Sequence, residues 1–366
     1  MFLGIFTELL GPGGIQRVNV HACATLSSIA NEKNKSYKFL SLNDSKGIHE
    51  INEENHTFQI QGFGRNKTAF VINCLKNISK IDFVYISHAN MSPIGLLLKL
   101  FNTKIKYVIA IYGIDVWEKL SILKRFGMRS ANGITSVCKY TADKAAIVQK
   151  LPNTNFFIIP SCLPDKIINL KEDKDMSLQK NSSQKILLTV GRMSSMEKYK
   201  GMDLVIKSLP IILKTIPNTN YYIVGEGDDM SRLKKLAVDM GVEEHVVFTG
   251  RVGNELNSFY DFCDIFVMPS RDEGLSLVYV EAMASGNPVI ACNSGGTPEI
   301  VLEGETGFLI PYGDIKMLSD RLTILLTDKN LVDQMGSLGK KRVYENFTFI
   351  HFKEKLKKAM NTILEL

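Results

Sequence analysis

Short apolar runs of four to six residues recur along the chain, and most are followed by a longer stretch with apolar residues at helical spacing. That alternation marks parallel sheets built from strand–helix–strand units, because a parallel pair needs a crossover and a helix is the crossover that packs. In the first half the spacing predicts strands at Phe2–Phe6, Lys38–Leu42, Phe83–Ser87, Tyr107–Ile111, Ile134–Val137 and Phe156–Ile159. Helices are expected over Gln16–Ile29, Lys67–Ile78 and Ser92–Leu100. A polar stretch at 165–185 has no strand pattern and reads as a linker. The rhythm restarts with strands at Lys185–Val190, Asn220–Val224, Val246–Thr249, Ile265–Met268, Pro288–Ala291 and Gly307–Ile310. Helices fit Gly201–Leu213, Met230–Met240, Leu256–Cys263, Leu277–Ala284 and Ile315–Leu326, and Phe347–Leu366 reads as a Lys-rich amphipathic helix. The expected fold is α/β, with two doubly wound, Rossmann-like domains at 1–164 and 186–344 and ligands held in a cleft at the carboxyl ends of the strands.

The chain's 366 residues, 45% of them hydrophobic, suit two cores rather than one, and 22% charged residues exclude wholesale disorder. Charge is unevenly spread: residues 1–163 hold 19 basic and 10 acidic residues, whereas 164–366 hold 25 and 28. Six scattered cysteines without Cys-x-x-Cys spacing read as reduced thiols of a cytoplasmic protein. The apolar start lacks a basic n-region and runs into a glycine loop, so it reads as a strand rather than a leader. No apolar run approaches the about 20 residues of a membrane span.

Three segments carry chemistry. Gly11-Pro12-Gly13-Gly14 lies between the first strand and first helix. It is either an anion cradle of backbone N–H groups at a helix N-terminus or a tight turn needing positive φ. Arg192 leaves a strand end and Lys200 precedes a helix, a pair that grips a pyrophosphate if the loop is not simply solvated. Glu273 and Glu281 bracket Gly274, Leu275, Ser276 and Leu277, where a helix begins. Amides at that N-terminus suit phosphate, and a carboxylate on either side suits the hydroxyls of a sugar nucleotide. No G-x-G-x-x-G fingerprint occurs, which disfavours a nicotinamide oxidoreductase.

These motifs sit within VGRMSSMEKYKG, YYIVGEGDDMSRLKKLA, VVFTGRV, DIFVMPSRDEGLSLVYVEAMASGNPVIA, and GGTPEIV with GETGFLI, covering most of 186–312. In that order they resemble the retaining glycosyltransferases of family 4, the group 1 transferases, with Glu273 and Glu281 on the family's paired-glutamate motif. The first half is similar more weakly, through GPGGIQR, HANMSPIG and YGIDVW. The resemblance implies the GT-B fold, with a C-terminal helix (345–366) crossing back to the first domain and the donor bound mainly by the second. It implies that Arg192 and Lys200 neutralise the donor diphosphate, Lys200 matching better than Lys198. Glu273 would hold donor-sugar hydroxyls, Glu281 the ribose, and Arg251 with Val252 the base, while Gly13 and Gly14 approach the phosphates. No metal or other cofactor is implied, since the departing diphosphate itself assists the acceptor on the same face.

One position departs from the commoner family pattern. Tyr112-Gly113-Ile114-Asp115 stands where many relatives carry a histidine-led turn, so that histidine's role does not transfer. His88 is a replacement candidate or an ordinary strand-end histidine, and Asp115 a contact for sugar or acceptor hydroxyls. Asp173-x-Asp175 looks like the metal motif of a different transferase fold but lies among lysines and reads as solvated charge. Lys119, Lys124, Arg125 and Arg129 around Leu120–Phe126 suit either an anionic membrane surface or plain solvation. The expected activity moves a hexose from a UDP- or GDP-linked sugar to a saccharide or lipid-linked saccharide, on the cytoplasmic side of a membrane. A nucleotide-sugar epimerase is the alternative. Nucleic acid is not an expected partner, because the basic residues lack aromatic interleaving.

Overall fold

A computed structural model describes residues 1–11, 13–151, 155–165, 181, 183–253 and 255–365. The Asp173/Asp175 pair and nearly all of the linker lie outside the described residues. Two compact units partition the chain: Met1–Lys166 with Phe347–Leu366, and Ile167–Asn346.

In the first unit the strands are β1 (Phe2–Phe6), β2 (Tyr37–Ser41), β3 (Gly47–Glu53), β4 (His56–Gly62), β5 (Phe83–Ile86), β6 (Lys106–Ile111), β7 (Gly133–Ser136) and β8 (Phe156–Ile158). They form one sheet in the order β3-β4-β2-β1-β5-β6-β7-β8. β1 and β5 are buried at every position, as continuous apolar strands covered by helices on both faces must be. The hairpin β3–β4 departs from the sequence expectation and is the sheet's antiparallel pair. Its strands alternate exposed and sheltered positions, a pattern far weaker than an unbroken apolar run. Its two-residue turn places both Glu54 and Asn55 at positive φ, without the Asn-Gly or Asp-Gly pair that advertises such turns.

The closing helix, Phe349–Glu365, belongs to this unit. Phe349, Phe352, Leu356, Ala359, Met360 and Ile363 enter the same apolar core as Phe2, Val18, Leu26 and Tyr85. Buried His21 packs its ring 5.4 Å from Phe349, with Cys162 Sγ at one ring nitrogen (3.1 Å) and Glu53 at the other (3.5 Å). All six cysteines are free and buried.

The second unit holds β9 (Lys185–Val190), β10 (Thr219–Val224), β11 (Val246–Gly250), β12 (Ile265–Met268), β13 (Val289–Cys292) and β14 (Gly307–Ile310) in the order β11-β10-β9-β12-β13-β14. The chain winds outward from β9 to β11, then returns to the far side of β9 and winds outward again from β12. Strand order therefore reverses between β9 and β12, where the loops diverge and open a crevice. The first sheet reverses likewise between β1 and β5. Helix Lys329–Asn346 was not anticipated, because Gly336 and Gly339 dilute its apolar pattern. Its Gly339 face packs on Met283 of helix Leu277–Ser285, and such tertiary contact supplies what propensity lacks. Helices at Ile114–Trp117 and Lys139–Val148 also lay beyond the sequence reading, whereas the basic stretch around Leu120–Phe126 does contain a helix, Ile122–Arg129.

Leu356→Ala opens a cavity in the first unit's core and is expected to cost about 2–5 kcal/mol. The chain's single tryptophan, Trp117, lies in the same unit, and urea denaturation followed by its fluorescence would show the lowered midpoint.

Candidate functional site

The two loops that leave the reversal point are fastened to each other by backbone. After β9 the chain passes Gly191 and Arg192 and makes a tight turn over Ser195–Lys200. Gly201 ends the turn at φ +74, and a Cβ there would stand 2.4 Å from the carbonyl oxygen of Pro269, just beyond β12. Only glycine fits. The Arg271 amide donates to the Tyr199 carbonyl at 2.8 Å, completing the fastening. Lys200 is thereby set beside the loop that carries Glu273.

Glu273 is held from both ends. Ser270 Oγ donates to its carboxylate at 2.9 Å, and the Gly296 amide donates to its backbone carbonyl at 2.8 Å. Gly295 sits at φ +63 with space for no side chain, since a Cβ would lie 2.2 Å from that same carbonyl. Asp272, immediately before, is left-handed at φ +63, a conformation that costs a non-glycine residue about 1–2 kcal/mol and concentrates at working sites. Burial raises the pKa of the Glu273 carboxyl; the Lys200 ammonium and the Ser270 hydrogen bond pull it back, and Glu197 pushes it up again.

Helix Leu277–Ser285 starts directly beyond. Ser276 is its N-cap, in extended conformation and without a side-chain capping bond, and the first turn carries no acidic residue. The helix is anchored by Tyr279, whose hydroxyl donates to the Met268 carbonyl at 2.7 Å. Arg192, Lys200, Glu273 and the Gly274–Leu277 turn are thus gathered around one reversal point.

Two members of this group escaped the sequence reading. Glu197 pairs with both cations: one oxygen with Arg192, the other with Lys200 at 2.6 Å. Tyr199 lies within electrostatic reach of Glu273, Glu197 and Arg192, and burial foremost raises its phenol pKa. The signal for both was the turn's position between Arg192 and Lys200, not their residue types.

Glu281 is buried, 7% exposed, and receives the Tyr260 hydroxyl at 2.7 Å. Arg251 and Val252 follow β11, on the outer side of the sheet from Arg192. Arg251 is exposed, with Nη1 4.0 Å from Glu226, whose backbone carbonyl accepts from Met193 at 2.9 Å.

In the first unit the glycine loop follows β1 and His88 follows β5, so both flank that sheet's own reversal point. Gly13 is the N-cap of helix Gly14–Glu32 at φ −80, and none of Gly11, Gly13 and Gly14 has positive φ. The left-handed tight turn is therefore excluded here, and the uncapped helix start remains. His88 Nδ1 accepts the Asn90 amide at 3.0 Å, which leaves the neutral ring's proton on Nε2. Burial lowers the pKa of His88, against the pull of Asp115. Asp115 Oδ1 accepts the amides of Tyr112 and Gly113 at 3.0 and 2.7 Å. Its Oδ2 is buried with no hydrogen-bond partner among the described residues, and burial raises its pKa. Tyr112 is turned away from such work: its hydroxyl donates to Asn19 at 2.8 Å, in the interior.

Tyr260→Phe removes a buried donor from Glu281 and should lower the second unit's stability by about 1–2 kcal/mol. Thermal denaturation measures the shift.

Residues 171–342 match the family described as glycosyl transferases group 1. Among curated proteins, the chain is 38% identical over 163 residues to a GDP-mannose-dependent alpha-(1-6)-phosphatidylinositol monomannoside mannosyltransferase of Mycolicibacterium smegmatis, covering 42% of this chain and 43% of the relative. The match thus spans less than half of that enzyme's length. A glycosyltransferase of Haemophilus influenzae without an assigned reaction is 27% identical over 351 residues, covering 91% of this chain and 93% of its own. Among solved structures, sucrose-phosphate synthase from Thermosynechococcus elongatus superposes with a TM-score of 0.78 at 16% identity, covering 100% of this chain and 99% of its own. Two doubly wound sheets and the solved-structure match show the GT-B fold, and residues 171–342, a little under half of the chain, are similar to the group 1 glycosyl transferases.

Proposed function

We propose that the protein transfers a hexose, with retention of configuration, from a nucleoside diphosphate sugar to a saccharide or lipid-linked saccharide. The observation that carries this reading is the backbone fastening of the Lys200 turn to the Glu273 loop, which holds cations, a carboxylate and a helix N-terminus at one reversal point. As the sugar–phosphate bond breaks, negative charge grows on the diphosphate while the sugar becomes oxocarbenium-like. Arg192, Lys200 and the Gly274–Leu277 amides stabilise that charge in this reading. Glu273 accepts donor-sugar hydroxyls. Glu281, already oriented by Tyr260, accepts from the ribose, and Arg251 and Val252 flank the base. The departing diphosphate takes the acceptor's proton on the face it leaves, so these residues suffice without a metal.

On the acceptor side, His88 offers Nε2–H and Asp115 a buried, unsatisfied oxygen, a donor and an acceptor suited to sugar hydroxyls. The mannosyltransferase relative makes GDP-mannose the first donor to test, ahead of UDP-sugars. Lys200→Ala and Glu273→Ala are expected to reduce transfer at least a hundredfold while the far-ultraviolet spectrum stays native. An α-linked product from an α-linked donor should show by anomeric NMR. Near-wild-type turnover in either variant would refute the assignment.

The lipid-linked form of the acceptor is favoured by the face around helix Ile122–Arg129. Lys124 and Arg125 are turned partly inward, Lys124 donating to Asn90 at 2.6 Å, so the basic face is narrower than the sequence promised. The apolar face is wider: Ile122, Leu123 and Phe126 are exposed, as are Leu100 and Phe101 on helix Ser92–Phe101, which packs alongside. Lys119 and Arg129 flank these side chains in the half of the chain that carries excess basic charge. Exposed apolar groups rimmed by cations suit the headgroup region of an anionic bilayer. Wild-type protein should co-sediment with phosphatidylglycerol vesicles at low salt, and Leu123→Asp/Phe126→Asp should not. Equal sedimentation of the two would remove the membrane from the proposal.

A further inference from the structure

Glu197 needs an explanation that the proposed reaction does not supply. It is an acidic side chain planted between the two cations assigned to an anionic ligand. Its carboxylate spans them, one oxygen on Arg192 and the other on Lys200. Glu197 and Lys200 are sheltered, 16% and 14% exposed, whereas Arg192 is 77% exposed. The turn that carries Glu197 is pinned on both sides. Before it, Ser195 donates from its amide and hydroxyl to Asp228 at 2.9 and 2.5 Å. After it, Gly201 and the Tyr199–Arg271 bond lock the chain to the loop beyond β12. Between those anchors the turn is broken at Glu197 itself, whose φ of −116 and ψ of 29 are not helical.

We infer that Glu197 is a built-in surrogate for the donor diphosphate, occupying Arg192 and Lys200 while the site is empty and competing with the nucleotide for them. The inference rests on the assignment of these two cations to the diphosphate. A carboxylate fork and a diphosphate present similar pairs of anionic oxygens, and the two repel one another on the same cations. Binding therefore requires Glu197 to yield. Once the proton taken from the acceptor has passed to solvent, the nucleoside diphosphate carries one more negative charge than the sugar-bound donor, so it is the species these cations would hold too tightly. The return of Glu197 opposes that retention and speeds its departure, at the cost of affinity in the ground state.

The test uses the full chain and its Glu197→Gln variant, titrated calorimetrically with GDP and with UDP. The substitution keeps the side chain's size but removes its charge. The better-binding nucleotide should therefore bind the variant about tenfold more tightly than the wild type, equivalent to about 1.4 kcal/mol. Product inhibition by that nucleotide should tighten in parallel. Glu243→Gln, which removes an exposed charge from the turn before β11, should leave affinity unchanged, showing that net charge is not the cause. Adding Lys200→Ala to Glu197→Gln should abolish the gain. Glu197→Ala should change affinity in the same direction, which guards against an effect peculiar to the glutamine amide. Unchanged or weaker binding in Glu197→Gln, with normal binding by the wild type, would overturn the surrogate and leave the donor site standing. Failure of every form to bind either nucleotide would overturn both.

Discussion

The chemistry of the second unit depends on a steric constraint: the loop after β12 is approached so closely by the loops after β9 and β13 that each of these must present a glycine at the contact. Gly201 against Pro269 and Gly295 against Glu273 each bring backbone to within a distance that a Cβ would violate. Packing of this kind has one solution rather than a range, so Lys200 and Glu273 are positioned by main chain and not by flexible side-chain contacts. The rigid part of the site is this set of loops. Arg192, largely in solvent, is its adjustable part.

Much of this architecture was legible in the sequence, for a physical reason. Central parallel strands are apolar on both faces, and the expected limits at Phe2–Phe6, Lys185–Val190 and Ile265–Met268 coincide with β1, β9 and β12. What was not legible lacked that double burial. The hairpin β3–β4 faces solvent on one side, and helix Lys329–Asn346 is held by packing that its own composition does not announce. The site divides the same way. Arg192, Lys200 and Glu273 stand at strand ends or helix starts, where chain direction alone locates them. Glu197 and Tyr199 lie inside an irregular turn, where no periodicity says which way a side chain points.

In the first unit, Tyr112 leads the turn that ends at Asp115, and its phenol is drawn inward to Asn19, deep enough that burial raises its pKa well above normal. The imidazole at this sheet's carboxyl edge belongs to His88, one strand over, and faces the field of Asp115. The acidic residue of the turn stays in place, fixed by two backbone amides.

The outer strands of the two sheets have a bearing on how the protein behaves when concentrated. β3 shows solvent a row that includes Glu50 and Asn52, while β8 ends the same sheet after three residues. β11 and β14 close the other sheet with five and four residues. A bare, long, apolar border would invite a second chain to add a strand and seed a fibril; borders that are brief or charged do not. Crowded on a surface or in a cell extract, molecules of this protein are thus poorly suited to stitch themselves together edge to edge.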